Sequence, residues 1–526
     1  MGILLNPSSI IFDFEASQRS IVNIDKSGLI SHLNKVAGTS DRYICISRPR
    51  RFGKTWAASM LSAYYSKGCD ARKFFERARI SLDPSFETHL NRFDVVFLNI
   101  QNILTEHAKV KLMISSIKKT LLEDLRAAYP EVKFRKPSNL IQTLTDIKES
   151  TGNGFVFIID EWDCIFRVLK NDFAGQRIYL DFLRSLLKNQ GYVHLAYMTG
   201  ILPIKKYGTH SALNMFYEFS MANPGDYAEF TGFTEKEVES LFSGSNMSFE
   251  LAKYWYDGFV FNNVHIYNPL SIVKAVITNS FENYWNQTET FEALKMPISL
   301  NFDGLKDAIL RLMTQGPVKI NTTKFQNDMA SFSSADDVLT LLVHLGYLAF
   351  NKTTSEVSIP NNEIREEFKN AVESAKWAGV SRLLLASEQL LNDTWSLNAL
   401  KIKDAIQAGH NESTSILKYN DENSLCCVVS LAYYTANEYY IIFRELASGK
   451  GFIDMLFLPK PQHYEKPALI VELKWNKSAK GAIDQVKSKN YPQKILQYTG
   501  KILLVGINYD SVAKEHSCIV EELIKI

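Results

Sequence analysis

The chain has 526 residues, more than one hydrophobic core of ~250–300 residues can organise, so it divides into roughly three domains. Its 46% hydrophobic and 22% charged residues are those of a folded globular protein and exclude wholesale disorder. With 59 Lys plus Arg against 57 Asp plus Glu, the net charge of +2 excludes a global field for polyanions, and any nucleic-acid contact has to come from a local patch.

The opening Met1-Gly2-Ile3-Leu4-Leu5-Asn6 lacks the basic stretch and long apolar run of a signal peptide. Asn6 also stands where a myristoylation signal needs Ser or Thr. From Tyr43 to about Phe219, short β-branched or aromatic runs alternate with longer amphipathic stretches, the pattern of an α/β domain with a mainly parallel sheet. Candidate strands are Tyr43–Ser47, Val95–Asn99, Phe155–Ile159 and His194–Met198; none of the apolar runs is long enough to span a membrane.

The first strand runs into Arg48-Pro49-Arg50-Arg51-Phe52-Gly53-Lys54-Thr55, and an amphipathic helix follows. A strand, a tight loop ending Gly-Lys-Thr and a helix can wrap backbone N–H groups around phosphates at a positive helix end. Lys54 would reach the β and γ phosphates and Thr55 would hold Mg²⁺. Arg48 takes the place of the first glycine of the usual G-x-x-x-x-G-K-[ST] loop, where a Cβ narrows the turn. Taken alone, Gly-Lys-Thr is equally well read as a helix start with a solvated lysine. The strand Phe155–Ile159 shifts that balance, because it delivers Asp160 and Glu161 at its C-terminal end, where α/β sheets put their ligands. There Asp160 would hold the Mg²⁺ shell and Glu161 would polarise the attacking water. Thr199, ending the next strand, is either a γ-phosphate sensor or part of a simple turn with Gly200.

After Glu235 the pattern turns helical, through Leu251–Tyr256 and Ser271–Phe281. Between Leu305 and Phe368 it offers two helices, then Gly346–Phe350 and Val357–Ile359 as β segments, which is the order of a winged helix. From about Asn411 come a helix, three strands, a Lys-rich helix and a final strand Ile502–Asn508. Among these, Phe452–Leu458 carries Asp454 in an otherwise apolar run. Ala468–Lys474 places Glu472 and Lys474 two apart, on one face. If the two strands pair, Asp454 and Glu472 converge on a hard divalent ion with the Leu473 carbonyl as a further oxygen ligand. Lys474 would then orient water and offset charge on a phosphate. The plain alternative is an exposed Glu/Lys face on an edge strand. Against it stands local charge: Lys474, Lys477, Lys480, Lys487, Lys489, Lys494 and Lys501 lie in a stretch whose one acid is Asp484, a basic surface suited to a phosphate backbone.

Several stretches resemble the AAA-ATPase-like family of bacterial proteins, which often carry a C-terminal PD-(D/E)XK nuclease-superfamily domain. They are Asp25–Ile30, the Arg-Pro-Arg-Arg-Phe-Gly-Lys-Thr loop, Ile159-Asp160-Glu161-Trp162-Asp163, Thr231-Gly232-Phe233-Thr234, Tyr256-Asp257-Gly258-Phe259, Tyr267-Asn268-Pro269 and Gly346-Tyr347-Leu348. The resemblance spans about residues 9–510, and in that family the loop normally begins with arginine; Trp162 stands where tyrosine is commoner. It implies a P-loop fold, with Arg50 or Arg51 against the transferred phosphate, and a nuclease-like partner domain in which Ile453 replaces the eponymous proline. It also implies that Glu422, on an opening helix Glu422–Tyr434, is an early acidic residue beside the metal, and that Gln485 and Tyr491 face the site.

Four parts are expected: a P-loop ATPase-like domain at 9–235, a helical lid at 236–300, a helical or winged-helix linker region at 301–405, and a PD-(D/E)XK nuclease-like α/β domain at 406–526. The leading function is an ATP-binding, Mg²⁺- or Mn²⁺-dependent nuclease acting on DNA or RNA, with defence against foreign genetic elements as the role such pairings suggest. The other reading is a nucleotide-switched module that binds nucleic acid or protein without cutting. P-loop ATPases act both as rings and alone, and an oligomer fits this chain as well as a monomer. Six cysteines without a C-x-x-C pair point to a reducing cytosol, and ten histidines without H-E-x-x-H spacing make zinc unexpected.

Overall fold

The computed structural model describes residues 2–204, 213–244, 247–287, 292–300, 302, 304–314, 316–326, 332–374, 378–413, 422–448, 451–488 and 498–523. It forms two compact units: the first is Met1–Thr290 with Lys319–Arg365, the second Phe291–Val318 with Glu366–Ile526. The segment 301–405 thus contributes to both. Each unit is built on its own five-stranded sheet.

In the first unit, β1 (Tyr43–Ser47), β2 (Asp94–Asn99), β3 (Phe155–Asp160), β4 (Val193–Gly200) and β5 (Tyr217–Phe219) form a parallel sheet in the order β2-β3-β4-β1-β5. Strands β1 and β3 are buried along their whole length. Continuous apolar strands need cover on both faces, and two core clusters supply it. One gathers Val96, Leu98, Phe157 and Ile159 with the helices Val110–Ala128 and Phe173–Leu187. The other gathers Ile44, Ile46, Val156 and Ile158 with the helices Gly28–Val36 and Lys54–Tyr65. Strand β4 separates the phosphate-loop strand from the Asp160 strand, so the loop and the acids meet across the top of a third strand.

The region after Glu235 is only partly helical. Helices Glu235–Ser243, Phe249–Tyr256 and Pro269–Thr278 are joined by a hairpin, β7 (Phe259–Phe261) and β8 (Val264–Tyr267), with β6 (Phe233–Thr234) beside β8. Asn262 and Asn263 both take positive φ, 50° and 67°, as a two-residue hairpin turn requires. That Asn-Asn pair is the turn signal the helical reading passed over. Further on, the helix Ala335–Leu345 ends at Gly346 in the left-handed conformation, and a hairpin of β10 (Ala349–Asn351) and β11 (Glu356–Ser358) follows, with β9 (Val318–Lys319) on the outer side of β11.

Motifs far from the phosphate loop in sequence pack onto it. Gly232 N–H donates to the Phe52 carbonyl at 2.9 Å. The Phe259 ring meets Phe52 edge-on at 5.7 Å. A Cβ on Gly346 would lie 2.7 Å from Pro49 Cγ and 2.8 Å from Trp285. Gly258, at φ 118°, lies where any side chain would overlap the Pro360 carbonyl. Gly232 and Gly346 are therefore close-approach positions against the loop, and Gly258 is one against the chain at Pro360.

In the second unit, β12 (Tyr440–Ser448), β13 (Gly451–Pro459), β14 (Ala468–Trp475), β15 (Ile502–Asp510) and β16 (Glu515–Glu522) lie side by side in chain order. Only the β14–β15 pair is parallel, and the helix Ala479–Ser488 makes that crossover. Its Ala482, Ile483 and Val486 are buried, with Ile483 and Val486 packed against Ile470 and Leu504 in the core. The sheet extends one strand beyond the sequence reading, because β16 returns along β15 through a tight turn at Asp510–Lys514. The helix expected over Glu422–Tyr434 runs Glu422–Ala432. Among the described residues, no helix is long and apolar enough to cross a membrane.

Candidate active sites in the two sheets

The phosphate loop opens on a cavity of about 520 Å³ lined by Arg50, Arg51, Gly53, Lys54, Thr55, Trp56, Asn99, Gln101, Asn102, Glu161, Pro269, Leu270 and Val273. Gly53, at φ 81°, starts the helix Lys54–Tyr65 without a side-chain cap, which leaves the first N–H groups of a three-turn helix for an anion. Lys54 Nζ reaches back to the Pro49 carbonyl at 2.8 Å and closes the loop. Burial pulls the Lys54 ammonium down, and Glu161 and Asp160 oppose that shift.

Arg48 does not narrow the cavity. Its side chain turns into the core, where it is fully buried, donates to the carbonyls of Ser47 (2.9 Å) and Phe219 (3.0 Å) and lies 5.0 Å from the Phe261 ring centre. Burial lowers its pKa to about 10, so the buried cation survives at neutral pH. The position of the usual first glycine thus becomes a clamp between the loop and β5.

Asp160 is fully buried and gathers three donors: Thr55 Oγ1 (2.9 Å) and Asn99 Nδ2 (3.1 Å) on Oδ2, and Thr199 Oγ1 (2.5 Å) on Oδ1. The Thr55–Asp160 pair is the one that would share a Mg²⁺ shell. Thr199, expected either as a γ-phosphate sensor or as a turn residue, is buried next to Asp160 and donates to its carboxylate. Glu161 lines the cavity with its backbone in the left-handed region, φ 54°, and its carboxylate paired with Arg167. Burial raises the Glu161 carboxyl, and Lys54 and Arg167 offset part of the rise.

Sequence reasoning missed Asn99, Gln101, Asn102, Leu270 and Val273 as cavity residues. Asn99 carried a readable signal, a polar side chain ending an apolar strand; here it also caps the helix Ile100–Thr105 by accepting from Asn102 N–H.

The second site sits on β13 and β14. These strands pair antiparallel over Met455–Phe457 with Met455 opposite Val471, so Asp454, one step on, lies across from Glu472 on the same face. Asp454 Oδ2 takes the Leu473 N–H at 2.6 Å. Glu472, 1% exposed, accepts from Lys474 Nζ at 3.2 Å and from Gln485 Nε2, while Lys474 Nζ also donates to the Leu473 carbonyl at 2.8 Å. Glu422 lies at the rim, half exposed and 4.0 Å from Lys474. Gln485 gets there because Gly506, the β15 neighbour of Glu472, lets the helix Ala479–Ser488 approach: a Cβ on Gly506 would meet Ala479 O at 2.5 Å. The structure thus brings together Asp454, Glu472, Leu473, Lys474 and Gln485, with Glu422 at the edge. Tyr491, Lys489 and Lys494 lie outside the described residues.

Two carboxylates and a backbone carbonyl are a hard-oxygen donor set and suit Mg²⁺ or Mn²⁺. Among the described residues, no group of three or more His, Cys, Asp or Glu side chains is gathered around a metal-sized space, so the set rests on two acids and backbone oxygen. Burial, and then repulsion from Glu472, raises the Asp454 pKa to about 6, the strain a cation between the two would relieve. In the metal-free protein the folded state therefore binds this proton more tightly than the unfolded chain. The resulting destabilisation is fully present above pH 6 and fades as pH falls toward 3.8. Asp454→Asn is expected to raise the metal-free melting temperature at pH 7, by up to about 3 kcal/mol of stability, with the gain shrinking toward pH 4. A lower melting temperature at pH 7 would refute the charge strain.

Two of the described lysines in the basic stretch face acids. Strand β16 sets Glu521 against Lys487 and Glu522 against Lys501, and among the described residues Lys477 and Lys480 are exposed.

Residues 11–209 match the model of the family described as "Predicted AAA-ATPase", and residues 421–518 match that of the PD-(D/E)XK nuclease superfamily. An uncharacterised protein from the vnfD 5′ region of Azotobacter chroococcum mcd 1 is 23% identical over 376 residues, covering 68% of this chain and 70% of its own length. Among solved structures, the Aeropyrum pernix ORC2 protein with ADPNP and ADP aligns at 12% identity and TM-score 0.31, over 68% of this chain and 97% of that one. Cdc6p from Pyrobaculum aerophilum aligns at 8% identity and TM-score 0.23, over 70% and 99%.

Proposed function

We propose that this chain, an ATPase-like P-loop domain followed by a PD-(D/E)XK nuclease-superfamily domain, is a nucleotide-regulated, metal-dependent nuclease that cuts phosphodiester bonds in DNA or RNA. The observation that carries the reading is the convergence of Asp454, Glu472 and Lys474 on one face of β13 and β14, with Gln485 bonded to Glu472. A scaffold has no use for a buried carboxylate beside a half-buried one, because their repulsion has to be offset elsewhere. A divalent ion held by Asp454, Glu472 and the Leu473 carbonyl would supply a Lewis acid for the phosphate and a more acidic bound water. Lys474 would orient the attacking water and offset charge growing on the phosphate. Gln485 fixes the rotamer of Glu472, and Glu422 adds a carboxylate at the rim.

In the other domain, Lys54, Arg50, Arg51 and the loop N–H groups would hold the phosphates of ATP. Thr55 and Asp160 would hold the Mg²⁺ that accompanies it, and Glu161 would polarise water for hydrolysis. Thr199 supports this by fixing Asp160. Such a pairing of domains suits an intracellular role, as monomer or oligomer, against foreign genetic elements, by analogy with other proteins that join these domains.

The direct test is incubation of plasmid, single-stranded DNA and RNA with Mg²⁺ or Mn²⁺, with and without ATP. Cleavage that needs the metal and changes with ATP supports the reading. Tight nucleic-acid binding without cleavage under every condition would replace it with a nucleotide-switched binding module.

A further inference from the structure

We propose that Arg167 is the positioning residue for Glu161, gripping its carboxylate and anchoring it to the backbone just past β4. The inference rests on the ATP-hydrolysis reading of the phosphate-loop site and deepens it. Glu161 follows the buried Asp160 with a left-handed backbone, a conformation that costs a non-glycine residue about 1 kcal/mol and needs surrounding structure to hold it. Its Oε2 is paired with Arg167 Nη2, while the residue lines the cavity that holds Lys54.

Arg167 does not act from the solvent. Its side chain is 7% exposed, and its Nε donates to Asp163 Oδ2 at 3.0 Å. That same oxygen accepts the N–H groups of Ile201 (3.1 Å) and Leu202 (2.8 Å), directly after Thr199 and Gly200. The guanidinium therefore links the water-polarising carboxylate, through one buried aspartate, to the strand that carries Thr199, and Thr199 holds Asp160. The same lock explains the rest of the Asp-Glu-Trp-Asp motif. A Cβ on Gly200 would come 2.6 Å from the Trp162 ring and 2.7 Å from Asp163 Oδ1, so glycine is required where the two strand ends are pressed together.

Fold stability alone gives little reason to keep this cluster, because an apolar replacement of a buried ion pair is often neutral or stabilising. Orientation gives a reason. Two nitrogens of one planar cation fix Glu161 against Asp163, and a carboxylate free to swing by an ångström loses much of its value in hydrolysis.

The test compares ATP hydrolysis and ATP binding in the full chain for wild type, Arg167→Ala and Arg167→Lys. The alanine variant is expected to lose roughly 30- to 100-fold in kcat with the ATP Kd within about threefold of wild type. Lysine is expected to restore part of the rate, and millimolar guanidinium is expected to restore part of it in the alanine variant. An alanine variant with wild-type kcat overturns the inference. So does a fall in kcat and affinity together that neither lysine nor guanidinium repairs, since that marks a purely structural ion pair. A wild type with no ATP turnover overturns the hydrolysis reading itself and this inference with it, whereas turnover indifferent to Arg167 overturns only the inference.

Discussion

Glu472→Gln is expected to lower metal-dependent cleavage by at least roughly a thousandfold, about 4 kcal/mol of transition-state stabilisation, without loss of fold. Glu472 is the hub of its site: it faces Asp454 across the β13–β14 pair and accepts from both Lys474 and Gln485. Glutamine keeps the shape and one acceptor, so the packing of β14 against the helix Ala479–Ser488 is preserved. The change removes one of the two negative charges available to a divalent ion and turns an N–H₂ group toward donors that need an acceptor. A melting curve close to wild type, read beside the cleavage assay, separates lost chemistry from lost fold. Cleavage within tenfold of wild type would mean that any nuclease activity of this protein arises elsewhere.

Lys54→Met is expected to weaken ATP binding by roughly a hundredfold or more and to remove the rise in melting temperature that ATP gives the wild type. At a ligand concentration of 100 Kd that rise corresponds to about 2.7 kcal/mol. Methionine suits the test because Lys54 is 5% exposed, and its stem fills space that alanine would leave empty. What disappears is the ammonium, which closes the loop on the Pro49 carbonyl and faces Glu161 across the cavity. Metal-dependent cleavage measured without ATP is expected to be unchanged in this variant, and any effect of ATP on cleavage is expected to vanish. A Lys54→Met protein that still binds and responds to ATP as wild type does would remove the phosphate loop from the account.

Much of this architecture is legible from residue order because the informative residues are local. An apolar strand leading into Gly-Lys-Thr, another ending Asp160-Glu161, and Glu472 two residues from Lys474 each state their geometry within a few positions. The four strands read between Tyr43 and Met198 are four of the five in the parallel sheet, with no end shifted by more than two residues. What stayed hidden depends on partners distant in sequence. Arg48 reads as an obstacle in the loop until the Phe219 carbonyl and the Phe261 ring are seen to receive it. Thr199 reads as a phosphate sensor or a turn residue, and its bond to Asp160, 39 residues earlier, appears only in the fold. The lysines after Lys474 read as one basic face, but β16, which the sequence reading passed over, sets Glu521 and Glu522 against two of them. The hairpin of β7 and β8 went unseen because strands of three and four residues leave almost no alternation to detect, although its Asn262-Asn263 turn was in plain view.

The claim on which the rest depends is that the two carboxylates of the C-terminal sheet hold one divalent ion. Electron paramagnetic resonance titration of Mn²⁺ into the nucleotide-free protein measures this directly. The account predicts a bound ion in wild type and in Lys54→Met that is lost in Asp454→Asn, with affinity falling as pH drops below about 6 and Asp454 takes up its proton. Equal Mn²⁺ binding by wild type and Asp454→Asn, or no bound Mn²⁺ in wild type, would contradict it.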